Sequence, residues 1–218
     1  MQQRKRMQIN NLHAGSIRLP LTGVVLAGGR SRRMGTDKAL LRWPPGAADG
    51  LSLLELTAAR LATLCEEVLV VGSREPAPAG TREVPDLYPD GGSLGGIASG
   101  LQVAQHPRTL VVATDMPFLN AALLRWLAER PGAWDAIVPL SPEGRPEPLH
   151  AVYAQTCLAP LRRRVEAGQL KIQDLLDEVA TRFIRAEEWH TVHPDGRSFF
   201  NLNTPEDLEE ANRLFTQR

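Results

Sequence analysis

The residues best equipped for chemistry are Gly28, Gly29 and the basic side chains that follow them in Leu26-Ala27-Gly28-Gly29-Arg30-Ser31-Arg32-Arg33-Met34-Gly35-Thr36-Asp37-Lys38. A glycine pair lets a ligand approach the backbone closely, where consecutive main-chain N–H groups can point at phosphate oxygens without side-chain obstruction. Arg32, Arg33 and Lys38 add positive charge suited to a triphosphate or pyrophosphate, the guanidiniums through paired contacts and the ammonium as a point charge. The chemistry served by such a loop is the handling of a nucleotide. Neither common glycine-rich fingerprint is present. Lys38 is displaced from Gly35 and is followed by Ala39, whereas a P-loop requires G-x-x-x-x-G-K-[ST], and no G-x-G-x-x-G is found.

Two carboxylates stand just beyond apolar runs. Asp115 follows Leu110-Val111-Val112-Ala113-Thr114 and precedes Met116-Pro117. A carboxylate at a strand end can bind Mg²⁺, and phosphoryl transfer needs such an ion to neutralise charge on phosphate oxygens. Asp86 follows Arg82-Glu83-Val84-Pro85 and leads into Leu87-Tyr88-Pro89-Asp90-Gly91-Gly92-Ser93-Leu94-Gly95-Gly96, a glycine-rich stretch expected to be a flexible, close-approach loop opening into a helix. Asp90 is the competing carboxylate, and Asp86 is preferred because it directly follows the strand. Near the C-terminus, alternation in Asn201-Leu202-Asn203 sets both asparagines on one side of an extended segment, where either amide oxygen could complete a magnesium site.

The elements needed to position these residues are legible as alternating apolar patterns. Strands are predicted at 23–27, 68–71, 81–85, 109–114, 135–140, 149–153 and 182–185. Helices are predicted at 51–66, 94–105, 120–129 with Asn120 as N-cap, 156–167, 172–179, and 205–215 with Thr204 as N-cap and Asp207 three residues on. This alternation implies an α/β fold, a single three-layer α/β/α domain with a mainly parallel, Rossmann-like sheet over residues 21–218. The basic segment 1–20 is expected to be a disordered tail. In open α/β sheets ligands bind beyond the carboxyl ends of the strands, which is where Gly28, Asp86 and Asp115 stand.

The 218 residues fit one domain with a sizeable core. Equal numbers of basic and acidic residues, 25 each, give no overall attraction for nucleic acid, so phosphate affinity must be local. Cys65 and Cys157 lie far apart without metal-ligand spacing, and two reduced, partly buried thiols are expected. The leader lacks the apolar core of a signal peptide, and no apolar run approaches ~18 residues. The expectation is a soluble cytoplasmic protein without membrane partners.

The glycine segment resembles L-A-G-G-x-S-x-R-M-G-x-x-K, the opening motif of nucleotidyltransferases with a glycosyltransferase-A-like fold, and its Gly-Gly form is most similar to the molybdenum cofactor guanylyltransferases. Asp115-Met116-Pro117 is similar to the family's D-x-P strand end, whose aspartate holds magnesium. The Asp86 segment resembles one in which an aspartate is followed by G-P-L-x-G, with Ser93 standing where proline is usual. Asn201-Leu202-Asn203-Thr204-Pro205-Glu206-Asp207-Leu208 resembles the closing N-x-N-T-P-E-D-L. The resemblance spans about residues 22–214.

It implies that GTP and molybdopterin are the substrates, that GMP is joined to the terminal phosphate of molybdopterin with release of pyrophosphate, and that Mg²⁺ is the cofactor. By the same resemblance Leu26, Ala27, Gly28, Gly29, Lys38 and Asp86 meet the nucleotide, with Arg33, Lys38 and Asp115 catalytic. Asp115 and Asn203 are implied at the metal. Arg145, His150 and Asn201 are implied on the face that receives the pterin, and proteins that handle the cofactor are further implied partners. The family often carries asparagine just after the second strand, where this chain has Ser73 to offer a hydrogen bond to the nucleotide. Two other substrate assignments remain open, a cytidylyltransferase for the same cofactor and a sugar-phosphate nucleotidyltransferase, as does a non-catalytic nucleotide-binding protein. Gly28 in place of the alanine usual in those relatives leaves room near the base and favours a purine.

Overall fold

The computed structural model describes residues 17–28, 38–44 and 50–217. Its central sheet is built from β1 (Leu19–Leu26), β4 (Cys65–Val71), β5 (Arg82–Val84), β6 (Arg108–Ala113), β7 (Ala136–Pro139), β8 (His150–Ala154) and β9 (Thr181–Ile184), in the order β5-β4-β1-β6-β8-β7-β9. Every neighbouring pair is parallel except the two that involve β8, which runs against both β6 and β7. Two residues each from β2 (Arg42–Trp43) and β3 (Leu51–Ser52) form a separate antiparallel ribbon. β1 begins at Leu19, so Leu19 and Pro20 belong to the sheet and not to the segment preceding it.

The strands are apolar runs because both faces of the sheet are covered. Along β1, Val25 joins one core while Val24 and Leu26 join the other; β4 divides likewise, Val68 and Val70 from Leu69 and Val71. Helices α1 (Leu53–Ala62) and α3 (Ala121–Ala128) pack on the first face. Helices α2 (Gly92–Val103), α4 (Leu158–Glu166) and α5 (Ile172–Glu178) pack on the second. The result is the three-layer α/β/α arrangement that the alternation predicts.

Local signals set the helix starts. Ser52 and Glu55 form a reciprocal capping box at α1, with Glu55 N donating to Ser52 Oγ at 3.1 Å and Ser52 N donating to Glu55 Oε2 at 2.8 Å. Asn120 caps α3 by accepting from Leu123 N at 2.9 Å, as its sequence position predicts. The predicted start of this helix at Leu94 is corrected: α2 already begins at Gly92, with Gly92 and Ser93 helical ahead of Gly95 and Gly96. Their role is close packing. A Cβ on Gly96 would lie 3.0 Å from Leu26 Cδ2, and one on Gly100 2.8 Å from Val24 Cγ2, so the helix can press against β1 only with hydrogen at these positions.

A short helix α6 (Ala186–Trp189) and the terminal α7 (Pro205–Thr216) complete the chain. α7 opens with the Thr204–Asp207 capping box and has Pro205 in its first turn. A third apolar cluster joins Trp43, Phe118, Leu202 and Ala211 beneath it, with Trp43 edge-on to Phe118 at 5.4 Å between ring centroids. Cys65 and Cys157 are free and buried, and desolvation pushes both thiols up to about 12. Among the described residues no helix is long and apolar enough to cross a membrane.

Candidate functional site

At the carboxyl edge the strand ladder continues past the strands themselves. Ala27 N donates to Val71 O and Gly72 N to Val84 O, both at 3.0 Å, which holds the ends of β1, β4 and β5 in line. Gly28 and Gly72 then meet almost backbone to backbone. A Cβ on Gly28 would lie 3.3 Å from Gly72 O, and Gly72 takes a left-handed φ of +69° that side chains disfavour. Gly28, Gly72, Arg74, Asp86, Pro89, Asp90 and Gly92 line a cleft of 480 Å³ over these ends.

Asp86 is fixed within that cleft. Its Oδ1 accepts from Tyr88 N at 3.0 Å and lies 3.3 Å from the hydroxyl of Ser99 on α2. The Ser99 oxygen also accepts from Leu87 N at 3.0 Å. Its single proton is offered to Gly95 O at 2.8 Å or to Asp86. A fully buried serine therefore ties the start of the Asp86 loop to the helix.

Ser73 is not among the residues that line this cleft. Its hydroxyl turns back on its own loop, accepting from Glu75 N at 3.1 Å and donating to Glu75 O at 2.9 Å. Arg74 lines the cleft instead. Leu26 is the last, buried residue of β1, and Ala27 is half-buried after it. Gly29 and Arg33 lie outside the described residues. Lys38 opens a 3-10 turn, Lys38–Leu40, while its side chain lies outside the described part of the protein.

Asp115 follows β6, so in strand order it stands between this cleft and a second one beyond β8. Its side chain is half-buried, and its carbonyl accepts from Leu202 N at 2.8 Å, which draws the Asn201–Asn203 segment to the end of β6. The second cleft, of 640 Å³, has Arg145, Glu147, Phe199, Phe200, Asn201 and Asn203 in its lining. The structure thus brings both asparagines and Arg145 together in one cleft, with the Asp115 carbonyl bonded to the residue between the asparagines. Asn201 Nδ2 donates to Phe199 O at 3.0 Å. Arg145 is largely exposed, with Glu143 at 3.5 Å. Glu147, which the sequence reading passed over, is half-buried here. Burial pushes its carboxyl up to about 7; Arg145 opposes that rise, while the charges of Glu143 and Asp115 add to it.

His150 is placed differently from the expectation that it contacts substrate. It opens β8 opposite Val112, at the right edge of the sheet because β8 is reversed, yet it has no exposed surface. Phe199 covers it at 4.9 Å between ring centroids, and neither ring nitrogen has a hydrogen-bond partner among the described residues. Desolvation, aided by His193, lowers its pKa to about 3, so the ring is neutral at physiological pH. Its place in the structure is behind the cleft wall. His193, also lowered by burial, accepts from Ser198 N through Nε2 at 2.9 Å, and Ser198 Oγ accepts from Asn120 N at 3.0 Å. These bonds fasten the 197–203 segment to the start of α3.

The donors near Asp115 are a carboxylate and amide oxygens, the hard, all-oxygen set that Mg²⁺ takes together with phosphate oxygens and water. Among the described residues there is no group of three or more His, Cys, Asp or Glu that could hold a metal ion. Of the residues that line the two clefts, Asp86, Arg145 and both asparagines are singled out by sequence reasoning. It missed Arg74, Ser99 and Glu147, and it ranked Asp90 below Asp86, although Asp90 lines the same cleft.

Comparison with known proteins agrees with this fold. Residues 23–183 match the model of the MobA-like NTP transferase domain. The chain is 44% identical over 200 residues to a protein of Chloroflexus aggregans named probable molybdenum cofactor guanylyltransferase, covering 88% of this chain and 94% of that one. It is 33% identical over 194 residues to the molybdenum cofactor guanylyltransferase of Desulfosudis oleivorans, covering 88% and 94% of the two chains. Among solved structures, the molybdopterin-guanine dinucleotide biosynthesis protein A of Archaeoglobus fulgidus superposes with a TM-score of 0.75 at 27% identity, over 90% of this chain and all of the other.

Proposed function

The chain belongs to the MobA-like NTP transferase domain family, and on that footing we propose that it transfers GMP from GTP to the terminal phosphate of molybdopterin. The products are the guanine dinucleotide of the cofactor and pyrophosphate. The observation that carries this reading is the placing of Asp115 between two clefts, one glycine-lined and one bearing Arg145 and the two asparagines. The first suits GTP and the second suits the phosphorylated acceptor.

Gly28 projects no side chain into the first cleft, which leaves room for a purine. Asp86, held by Tyr88 N and Ser99, and Asp90 present acceptors for N–H or O–H donors of base and ribose. Arg33, Lys38 and the backbone at Gly28 and Gly29 serve the phosphates. Arg145 meets the phosphate of the acceptor. That phosphate is already anionic, with a second pKa of ~6, so it attacks the α-phosphorus without a dedicated base. The new P–O bond forms as the bond to the β-phosphate breaks, and the chain's task is alignment and charge neutralisation. Asp115, with an amide oxygen of Asn203 or Asn201, would hold Mg²⁺, which when bound neutralises charge on the reacting phosphates.

Asp115→Asn preserves the shape of the side chain and leaves the backbone carbonyl that receives Leu202 N untouched. The variant is expected to fold, as judged by circular dichroism, and to lose pyrophosphate release. Full turnover by this variant would remove Asp115 from the reaction.

A further inference from the structure

Four carboxylates line the second cleft, those of Glu143, Glu147, Asp195 and Asp207, and three of them are satisfied within the protein. Glu143 accepts from Ser141 Oγ at 2.8 Å and faces Arg145. Asp195 accepts from Arg197 N at 3.1 Å. Asp207 caps α7, accepting from Asn203 N at 2.7 Å and Thr204 N at 2.8 Å. Glu147 is the exception. Its carboxylate has no hydrogen bond or ion pair with any described residue, although it is half-buried and desolvation disfavours its charge. An acid held in that state is stabilised by donors brought from outside.

The position of Glu147 is fixed on both sides. Its N–H donates to Pro139 O at 2.9 Å at the end of β7, and its carbonyl accepts from His150 N at 3.0 Å at the start of β8. Phe199, Phe200, Pro142 and Pro146 supply flat and apolar walls to the same cleft. A carboxylate carried on so fixed a backbone, among such walls, matches a planar heterocycle that offers two adjacent N–H donors, one for each oxygen. Resting on the acceptor assigned under the proposed function, we propose that Glu147 is a specificity-determining residue that binds the amino-pyrimidinone edge of the pterin through its 2-amino and ring N–H groups. Arg145 and the metal side of the cleft then take the phosphate, so the two ends of the acceptor are held by opposite charges.

The test uses the full chain with Glu147→Ala and Glu147→Gln. Glutamine keeps the shape but turns an N–H₂ group toward a donor edge, so it is expected to fail as alanine does. Both variants should raise the acceptor KM about tenfold or more, as loss of a charged hydrogen-bond acceptor does. The GTP Kd, kcat at saturating acceptor and the half-saturating Mg²⁺ concentration should change less than about twofold. A reduced pterin lacking phosphate, followed by its fluorescence, should bind the wild type and lose affinity by a similar factor in both variants. An unchanged acceptor KM and unchanged pterin affinity would overturn the assignment. So would a raised Mg²⁺ requirement with an unaltered KM, which would make Glu147 a partner of Asp115. If the wild type forms no guanine dinucleotide, the reading of function fails, and pterin affinity alone then decides for or against Glu147.

Discussion

Replacing His150 with leucine should make the protein markedly less sensitive to acid. The imidazole is fully buried, and desolvation together with the charge of His193 lowers its pKa to about 3, against ~6.5 in an unfolded chain. Between those values the unfolded chain binds a proton that the native state refuses, so stability falls as pH drops from about 6.5 toward 3. By about pH 5 this one group should have cost roughly 2 kcal/mol, since each pH unit within the window carries about 1.4 kcal/mol. Above the window the substitution should be mild. Both ring nitrogens lack partners, and exchanging an unsatisfied buried polar group for an apolar one of similar size is often nearly neutral. Urea unfolding of both proteins at about pH 8 and about pH 5 gives the test. The wild type should lose about 2 kcal/mol more than His150→Leu between the two conditions, while Glu147 and His193 titrate in both. An equal decline in the two proteins would refute the argument that His150 is held neutral behind the cleft.

Two further substitutions address the nucleotide cleft. Gly28→Ala places a methyl group 3.3 Å from Gly72 O, and isothermal titration should show GTP affinity reduced about tenfold, equivalent to about 1.4 kcal/mol, as these backbones are forced apart. Ser99→Ala strands Leu87 N and removes one contact of Asp86; thermal unfolding should show a loss of about 1–2 kcal/mol, and GTP Kd should rise several-fold.

The architecture was legible because β1, β4 and β6 are apolar runs punctuated by helical patterns, and because Asn120, Thr204 and Asp207 mark helix starts with chemistry that acts within a few residues. The reversed direction of β8 was not legible, since strand direction depends on pairing across the chain. That reversal brings His150 to the functional edge, while packing against Phe199 withdraws it from solvent, and no local pattern encodes such a distinction. Gly92 and Ser93 read as loop residues because glycine and serine are turn formers, and nothing local shows that α2 already starts there. The closing of Ser73 on its own loop was not legible either, since a serine after a strand can face a ligand or close its own turn. Glu147 was overlooked between two prolines, with its significance set by the engagement of the other three carboxylates around the cleft.

The most direct measurement of the central claim is product formation by the purified protein with molybdopterin, Mg²⁺ and each nucleoside triphosphate in turn, with pyrophosphate and the dinucleotide identified by mass spectrometry. The account predicts the guanine dinucleotide and pyrophosphate in equal amounts, from GTP alone. A cytosine dinucleotide from CTP, or turnover only when a sugar phosphate replaces molybdopterin, would contradict it.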